Sequence, residues 1–225
     1  MLRILGIFAL TVITSSAFAQ LAGISNTDAS SGVKQSLRDG AAAAVAKLGV
    51  ENGFFANPKV KIPLPPALAK VEGAMRTFGM RKQADALVLS MNRAAEAAVP
   101  EAKQLLADSV AKMTLQDAKG ILTGGQTSVT DYFKRTSNAQ LTQRFLPIVK
   151  AATDKVGLAQ QYNSLAGQGA QLGLIKKDDA KIENYVTNKA LDGLYLMIGE
   201  QEKALRANPM GAASDIVKKV FGALK

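Results

Sequence analysis

The 225-residue chain contains no cysteine and no histidine. Without cysteine there is no disulfide framework, no thiol nucleophile and no lipobox to carry an acyl anchor. Without histidine the Ser-His-Asp triad, the usual zinc sets and the His-containing di-iron motif of helical bundles are excluded. Long hydrophobic runs are also scarce. Past the first 19 residues no stretch is long and apolar enough to read as a transmembrane helix. Nothing alternates at period two for long enough to make a sheet, and no internal repeat of fixed period is found.

What is present begins with Arg3, an apolar run from Ile4 to Ile13, and Ala17-Phe18-Ala19. These are the n-region, h-region and small-x-small cleavage site of a secretory signal peptide. The expected division is residues 1–19 as signal peptide, 20–31 as a short flexible lead, and 32–225 as one all-helical domain. Export to the periplasm is the expectation, with surface secretion as the alternative. Lys and Arg number 28 against 18 Asp and Glu, a net charge of +10, which loss of Arg3 lowers to +9. The basic residues are dispersed, with no run longer than two. Such a balance permits acidic partners such as lipid head groups or cell-wall polymers, and gives no specific nucleic-acid signal.

Helical spacing runs through the rest. Val33 to Leu48 is amphipathic, with Gly49 at the C′ position. Asn52 to Pro66 holds four prolines and reads as an extended strap, Val60, Ile62 and Leu64 alternating with Lys59, Lys61 and Pro63. Pro65-Pro66 opens a helix over Ala67 to Phe78, with Leu68, Val71, Met75 and Phe78 inward and Gly79 as its stop. Ala86 to Lys103 is apolar nearly all round and reads as a buried central helix, kinked or divided at Pro100. Thr114 and Asp117 form a capping-box pattern for a short helix ending at Gly124-Gly125. Thr127 or Ser128 caps the next helix, and Ser137 begins another with Pro147 inside it. Gly157 to Leu174 is a weak helix, and Lys176 to Asp179 a polar turn. Ile182 to Arg206 is the second central helix. Its Gly193 implies close packing of another helix, and Glu202 and Arg206 are an i,i+4 pair. Asp215 to Leu224 ends the chain. The fold class is all-α: a single-domain bundle of about eight to ten helices around two buried central ones.

Four groups of residues are candidates for function. Asn92, Arg93 and Glu96 share one side of the first central helix. They read either as a polar pocket floor, with Arg93 meeting an anionic group, or as an internal ion pair fixing helix register, the commoner arrangement. Gly124-Gly125-Gln126-Thr127-Ser128, with Tyr132, Lys134 and Arg135 on the next turn, reads as an anion-binding nest or as a C-cap followed by an N-cap. It lacks the Gly-Lys-Ser/Thr of a P-loop. Phe54, Phe55 and the Lys59–Pro66 strap read as a lid, a docking segment or a stapled loop. Asp85, Glu96, Asp117, Asp131 and Asp192 offer carboxylates but no spacing that makes an acid–base pair. The ligand-binding candidates are therefore Asn92, Arg93, Glu96, Gly125, Thr127, Tyr132 and Arg135. No catalytic residue, metal or cofactor is assigned. Three roles stay open: a non-enzymatic module for an apolar or amphiphilic ligand or a protein partner such as an envelope protein, a basic module for anionic envelope polymers or lipid head groups, and a hydrolase using carboxylates or Tyr and Lys.

Several long stretches carry a family resemblance. They are Asn52-Gly-Phe-Phe-x-Asn-Pro-x-Val-x-Ile-Pro-Leu-Pro65, Asn92-Arg-Ala-Ala-Glu-Ala-Ala98, and Tyr185-Val-Thr-x-Lys-Ala-Leu-Asp-Gly-Leu194 with the Glu200–Pro209 tail. Asp117 to Gly125 and Tyr132 to Arg135 fit the same pattern. The chain resembles the bacterial domain-of-unknown-function family 4197 over nearly its whole length after the leader. The resemblance implies an exported all-helical protein and brings no catalytic or ligand-binding residues with it.

Overall fold

A computed structural model describes residues 24–69, 77, 79, 81–171 and 180–224. Among them are eight helices of eight or more residues and no strand. They are α1 (Asn26–Leu48), α2 (Arg81–Ala98), α3 (Ala102–Ala111), α4 (Leu115–Thr123), α5 (Ser128–Thr153), α6 (Gly157–Gln171), α7 (Ile182–Ala207) and α8 (Asp215–Gly222). The leader, Val71, Met75, Phe78 and the Lys176–Asp179 turn lie outside the described residues. Of the helix expected over Ala67 to Phe78, a first turn at Pro66–Ala69 is described, and Gly79 has a positive φ of 76°.

The elements start and stop for local reasons. α1 begins seven residues before the predicted Val33, because the Ser25 hydroxyl accepts the Asp28 N–H at 3.0 Å and Ala29 and Gly32 continue the buried face. Residues 26–31 are therefore helix, not lead. Gly49 ends α1 with a negative φ of −82°, so the left-handed turn is not what selects glycine there. A Cβ on Gly49 would lie 3.1 Å from the Pro100 ring. Pro100 sits in a 3-10 turn, Val99–Glu101, which separates α2 from α3. The capping box at the start of α4 is complete: Thr114 accepts from the Asp117 N–H and Asp117 from the Thr114 N–H. The two helices expected on either side of Ser137 are one, α5, with Pro147 inside it. Inside this helix the Ser137 hydroxyl donates back to the Phe133 carbonyl at 2.6 Å and so caps nothing.

α2, α5 and α7 pack together at the centre, and α1 lies against α3, α4, α7 and α8. The two helices expected at the centre, α2 and α7, pack there together with the long α5. α7 is buried on most sides, by Tyr185, Val186, Leu194, Tyr195 and Ile198 among others. α2 is less enclosed than its composition implies: its second half is buried, but Leu89 is 40% exposed. The buried apolar side chains form one connected core.

The strap closes this core. Phe54, Val60, Ile62 and Leu64 are buried, while Lys59, Lys61 and Pro63 point outward, as the alternation predicts. Phe54 rests on Gly193 of α7, where a Cβ would stand 2.7 Å from the Phe54 ring. Gly193 therefore makes room for the strap, not for a helix. Lys59 pairs with Glu200, and the Tyr185 hydroxyl donates to the Pro63 carbonyl at 3.3 Å, so α7 holds the strap's far side.

Candidate functional site

The Asn92–Arg93–Glu96 group faces the strap. An extended segment laid on a helix has no ladder partner for its backbone, and each buried N–H or C=O needs one. Asn92, fully buried, supplies both for Ile62: its Oδ1 accepts the Ile62 N–H at 2.8 Å and its Nδ2 donates to the Ile62 carbonyl at 2.9 Å. Nδ2 also donates to the Val88 carbonyl one turn back, at 2.7 Å. One turn further along α2, Glu96 Oε1 accepts the N–H groups of Phe54 and Phe55 at 2.9 and 3.0 Å. Its Oε2 takes the Arg93 guanidinium at 2.6 Å. Arg93 reaches on to Glu51 Oε1 and Asn52 Oδ1, each at 3.0 Å, and lies over the Phe55 ring. Asn52 takes a positive φ of 67°, a conformation asparagine tolerates, and this turns the chain into the strap.

The electrostatics follow. Burial pushes the Glu96 carboxyl up, but the Phe55 N–H, Arg93 and the Phe54 N–H together outweigh it, and its pKa lies below the ordinary glutamate value. Arg93 is balanced by two carboxylates, Glu96 and Glu51. It lines only a shallow depression of about 400 Å³ with Glu96, Glu51 and Ala97.

The second group sits at the start of α5. Gly125 and Thr127 are exposed, and the Thr127 side chain caps nothing. The adjacent Ser128 hydroxyl is bonded to the carbonyls of Gly125 and Ile121 at 2.9 and 3.1 Å. The position an anion would take at this helix N-terminus is held by Glu202 of α7, whose Oε2 accepts the Val129 N–H at 3.3 Å. Glu202 is bonded in turn by Arg206, which also donates to the Ile121 carbonyl at 2.7 Å. Burial dominates here and holds the Glu202 pKa above the ordinary value despite Arg206 and the Val129 N–H.

Tyr132 and Arg135 face the other way. Tyr132 is buried and its hydroxyl donates to the Ser109 carbonyl at 2.5 Å, joining α5 to α3. Arg135 is exposed, covers the Tyr132 ring and pairs with Asp117 at 2.7 Å. The candidates therefore divide into a strap clamp on α2 and a set of helix ties around α5, with no shared cavity among the described residues. Among those residues no three His, Cys, Asp or Glu side chains gather where a metal ion could be held.

A cavity of about 500 Å³ opens elsewhere, between α1, α7, the 3-10 turn Pro209–Gly211 and α8. Leu37, Ile198, Leu205, Val217 and Phe221 give it apolar walls. Glu202 stands on the inner wall, and Ser36, Asp39, Gln201 and Asn208 contribute polar groups. Sequence reasoning found Glu202 and Arg206 as a helical pair but not their burial, and it did not find the cavity. The spacing of Leu37, Ile198 and Phe221 is that of any core residue, all three are buried, and only tertiary packing shows that a cavity opens beside them.

No helix among the described residues is long and apolar enough to cross a membrane. No curated protein and no solved structure matches the chain. The model of a family described as a protein of unknown function, DUF4197, matches residues 23–222. The chain belongs to the DUF4197 family, as its strap, its Asn92–Ala98 motif and its Tyr185–Leu194 segment imply.

Proposed function

We propose that this is an exported, non-enzymatic binding module that takes an amphiphilic small molecule between α1, α7 and α8. The observation that carries the reading is the cavity of about 500 Å³ with apolar walls and polar groups gathered at Ser36, Asp39, Gln201 and Asn208. Its size falls in the range of small-ligand sites, about 300–1,000 Å³. Export is supported by the Arg3, Ile4–Ile13 and Ala17-Phe18-Ala19 pattern. In this reading Asn92, Arg93 and Glu96 serve the strap, and ligand chemistry lies in the cavity.

Charge selects the head group. Although the chain is strongly basic, no Lys or Arg among the described residues lines the cavity, whereas Asp39 and Glu202 do. With Glu202 already paired to Arg206, an anionic head would meet Asp39 and no lining cation, so the ligand has a neutral, zwitterionic or cationic head and an apolar part.

The test uses N-phenyl-1-naphthylamine, a neutral fluorescent amphiphile, titrated into the purified exported protein. Saturable enhancement is expected, reversed by dodecyltrimethylammonium or lysophosphatidylcholine at lower concentration than by laurate. Ala43→Trp and Ala212→Trp fill the cavity from its walls and should abolish the signal while leaving the helical circular dichroism unchanged. Absence of saturable binding, or binding that ignores both fillings, overturns the reading. Mass spectrometry of the exported product should find Gln20 at its N-terminus; an intact Met1 would remove the export part alone.

A further inference from the structure

A second surface has a different chemistry. Along the seam between α5 and α7 run two adjoining depressions of about 250 and 330 Å³ that share Asn188. α5 contributes Lys134, Asn138 and Thr142 at successive steps of four residues; α7 contributes Asn184, Asn188 and Asp192 at the same steps. The helices run antiparallel here, so that the Lys134 end faces Asp192 and the Thr142 end faces Asn184. Among the described residues the amides of Asn138, Asn184 and Asn188 have no side-chain hydrogen bond. Thr187, in the same seam, is 1% exposed, and its hydroxyl is the one buried side-chain polar atom without a partner among the described residues. A buried hydroxyl without a partner carries a desolvation cost, and such orphans call for an explanation.

The molecule already shows what an amide on a helix does to an extended chain. Asn92 bonds both the N–H and the C=O of Ile62 and holds the strap with no strand to pair it. A side-chain amide carries a donor and an acceptor side by side, as a peptide unit does. Spacing extends the comparison. Residues four apart on a helix stand about 6.0 Å apart along its axis. Residues two apart on an extended peptide stand about 6.6–6.8 Å apart. Asn184 and Asn188, four apart on α7, therefore meet alternate residues of an extended peptide nearly in register, with Asn138 lining the same seam from α5. The opposite charges of Lys134 and Asp192 leave this seam without a dominant sign, which suits a backbone ligand better than an anionic polymer.

We propose that the α5–α7 seam is a binding site for an extended peptide segment, its backbone held by Asn138, Asn184 and Asn188 in the way that Asn92 holds Ile62. Thr187 lines the same depression as Asn184 and Asn188. The site is separate from the α1–α7–α8 cavity and stands or falls independently of it.

The experiment is a nuclear magnetic resonance titration of the ¹⁵N-labelled protein. The probe is a blocked nonapeptide of alternating Thr and Val with a Lys at each end, a composition that favours the extended state. Chitohexaose serves as a hydroxyl-rich rival of similar length. The side-chain amide signals of Asn138, Asn184 and Asn188 should shift saturably with the peptide and not with the sugar. Asn138→Ala with Asn188→Ala should weaken peptide binding about tenfold. Both positions are exposed, so the thermal melt of this double variant should match the parent. The proposal is overturned by any of three results: no saturable shift at millimolar peptide, equal affinity in the double variant, or shifts at these amides with the sugar alone.

Discussion

Glu96 on α2 and Glu202 on α7 invite comparison. Each is a buried carboxylate on a central helix, each is paired to an arginine on an adjacent turn of its own helix, and each accepts backbone N–H from another element. Their ionisations nevertheless move in opposite directions. At Glu96 two backbone N–H groups at 2.9 and 3.0 Å and the guanidinium at 2.6 Å overcome burial. At Glu202 the Val129 N–H and the Ser128 hydroxyl, each at 3.3 Å, and the Arg206 contacts at 2.8 and 2.9 Å do not, because burial weighs more heavily there. Neither burial nor the number of donors alone fixes the charge of a carboxylate; the balance between how deeply it is desolvated and how closely its donors approach does. Glu96 is a fully committed anchor for the strap, whereas Glu202 is an ion held against its solvation preference beside an open cavity.

The largest break in this comparison is expected at Glu96. Glu96→Ala orphans the Phe54 and Phe55 N–H groups and frees Arg93, and should cost about 3–5 kcal/mol in a urea melt. Arg93→Ala should cost far less, about 1 kcal/mol, because Glu96 keeps both N–H donors and the Arg93 side chain is already 33% exposed. Equal costs for the two variants would show that the ion pair, and not the strap backbone, is what Glu96 supports.

Asn92→Ala comes next. It leaves the N–H and C=O of Ile62 buried without partners and should cost about 3 kcal/mol. Gly193→Ala follows at about 1–3 kcal/mol, since the new methyl meets the Phe54 ring at 2.7 Å. It presses on the strap from the other side. Combining it with Asn92→Ala should be less than additive if both act by releasing the same segment. Strict additivity in a double-mutant cycle would mean that the two helices hold the strap independently.

The sequence shows the helices and the strap more clearly than it shows what they hold. Helical spacing places α4, α7 and α8 to within a few residues and misses the first two turns of α1, because an amphipathic face repeats whatever it packs against. It divides α5 at Ser137, since serine is a common cap; in the structure Ser137 is buried in one continuous helix, its hydroxyl taken by the Phe133 carbonyl. The alternation of Val60, Ile62 and Leu64 is legible, yet the partners of Ile62 lie 30 residues on, in an asparagine that reads equally well as a pocket floor. Arg93 and Glu96 are visible as neighbours, but Glu51, Asn52 and the two N–H groups that complete their cluster are remote in sequence. The cavity is less legible still, because it is made by what α1, α7 and α8 leave uncovered, and spacing reports only what a helix buries.

The smallest effect separates the two carboxylates by sign. A lowered pKa means that the native state binds the Glu96 proton more weakly than the unfolded chain does. The stability Glu96 contributes is therefore present above its ordinary pKa and is lost as pH falls through its depressed value. Glu202 works in reverse. Its native state binds the proton more tightly, so its contribution is complete below the ordinary glutamate pKa and declines as pH rises through the elevated one. Asp28, Asp117, Glu200 and Asp215 also have lowered values and share the acid limb with Glu96, so the profile of the parent alone cannot assign it. Differences against Glu96→Gln and Glu202→Gln can. In urea melts taken from about pH 3 to about pH 8, Glu96→Gln should flatten the acid limb. Glu202→Gln should remove a decline on the neutral side of no more than about 1 kcal/mol. If Glu202→Gln instead flattened the acid limb, Arg206 and the Val129 N–H would prevail over burial after all, and the contrast between the two carboxylates would collapse into one kind of anchor.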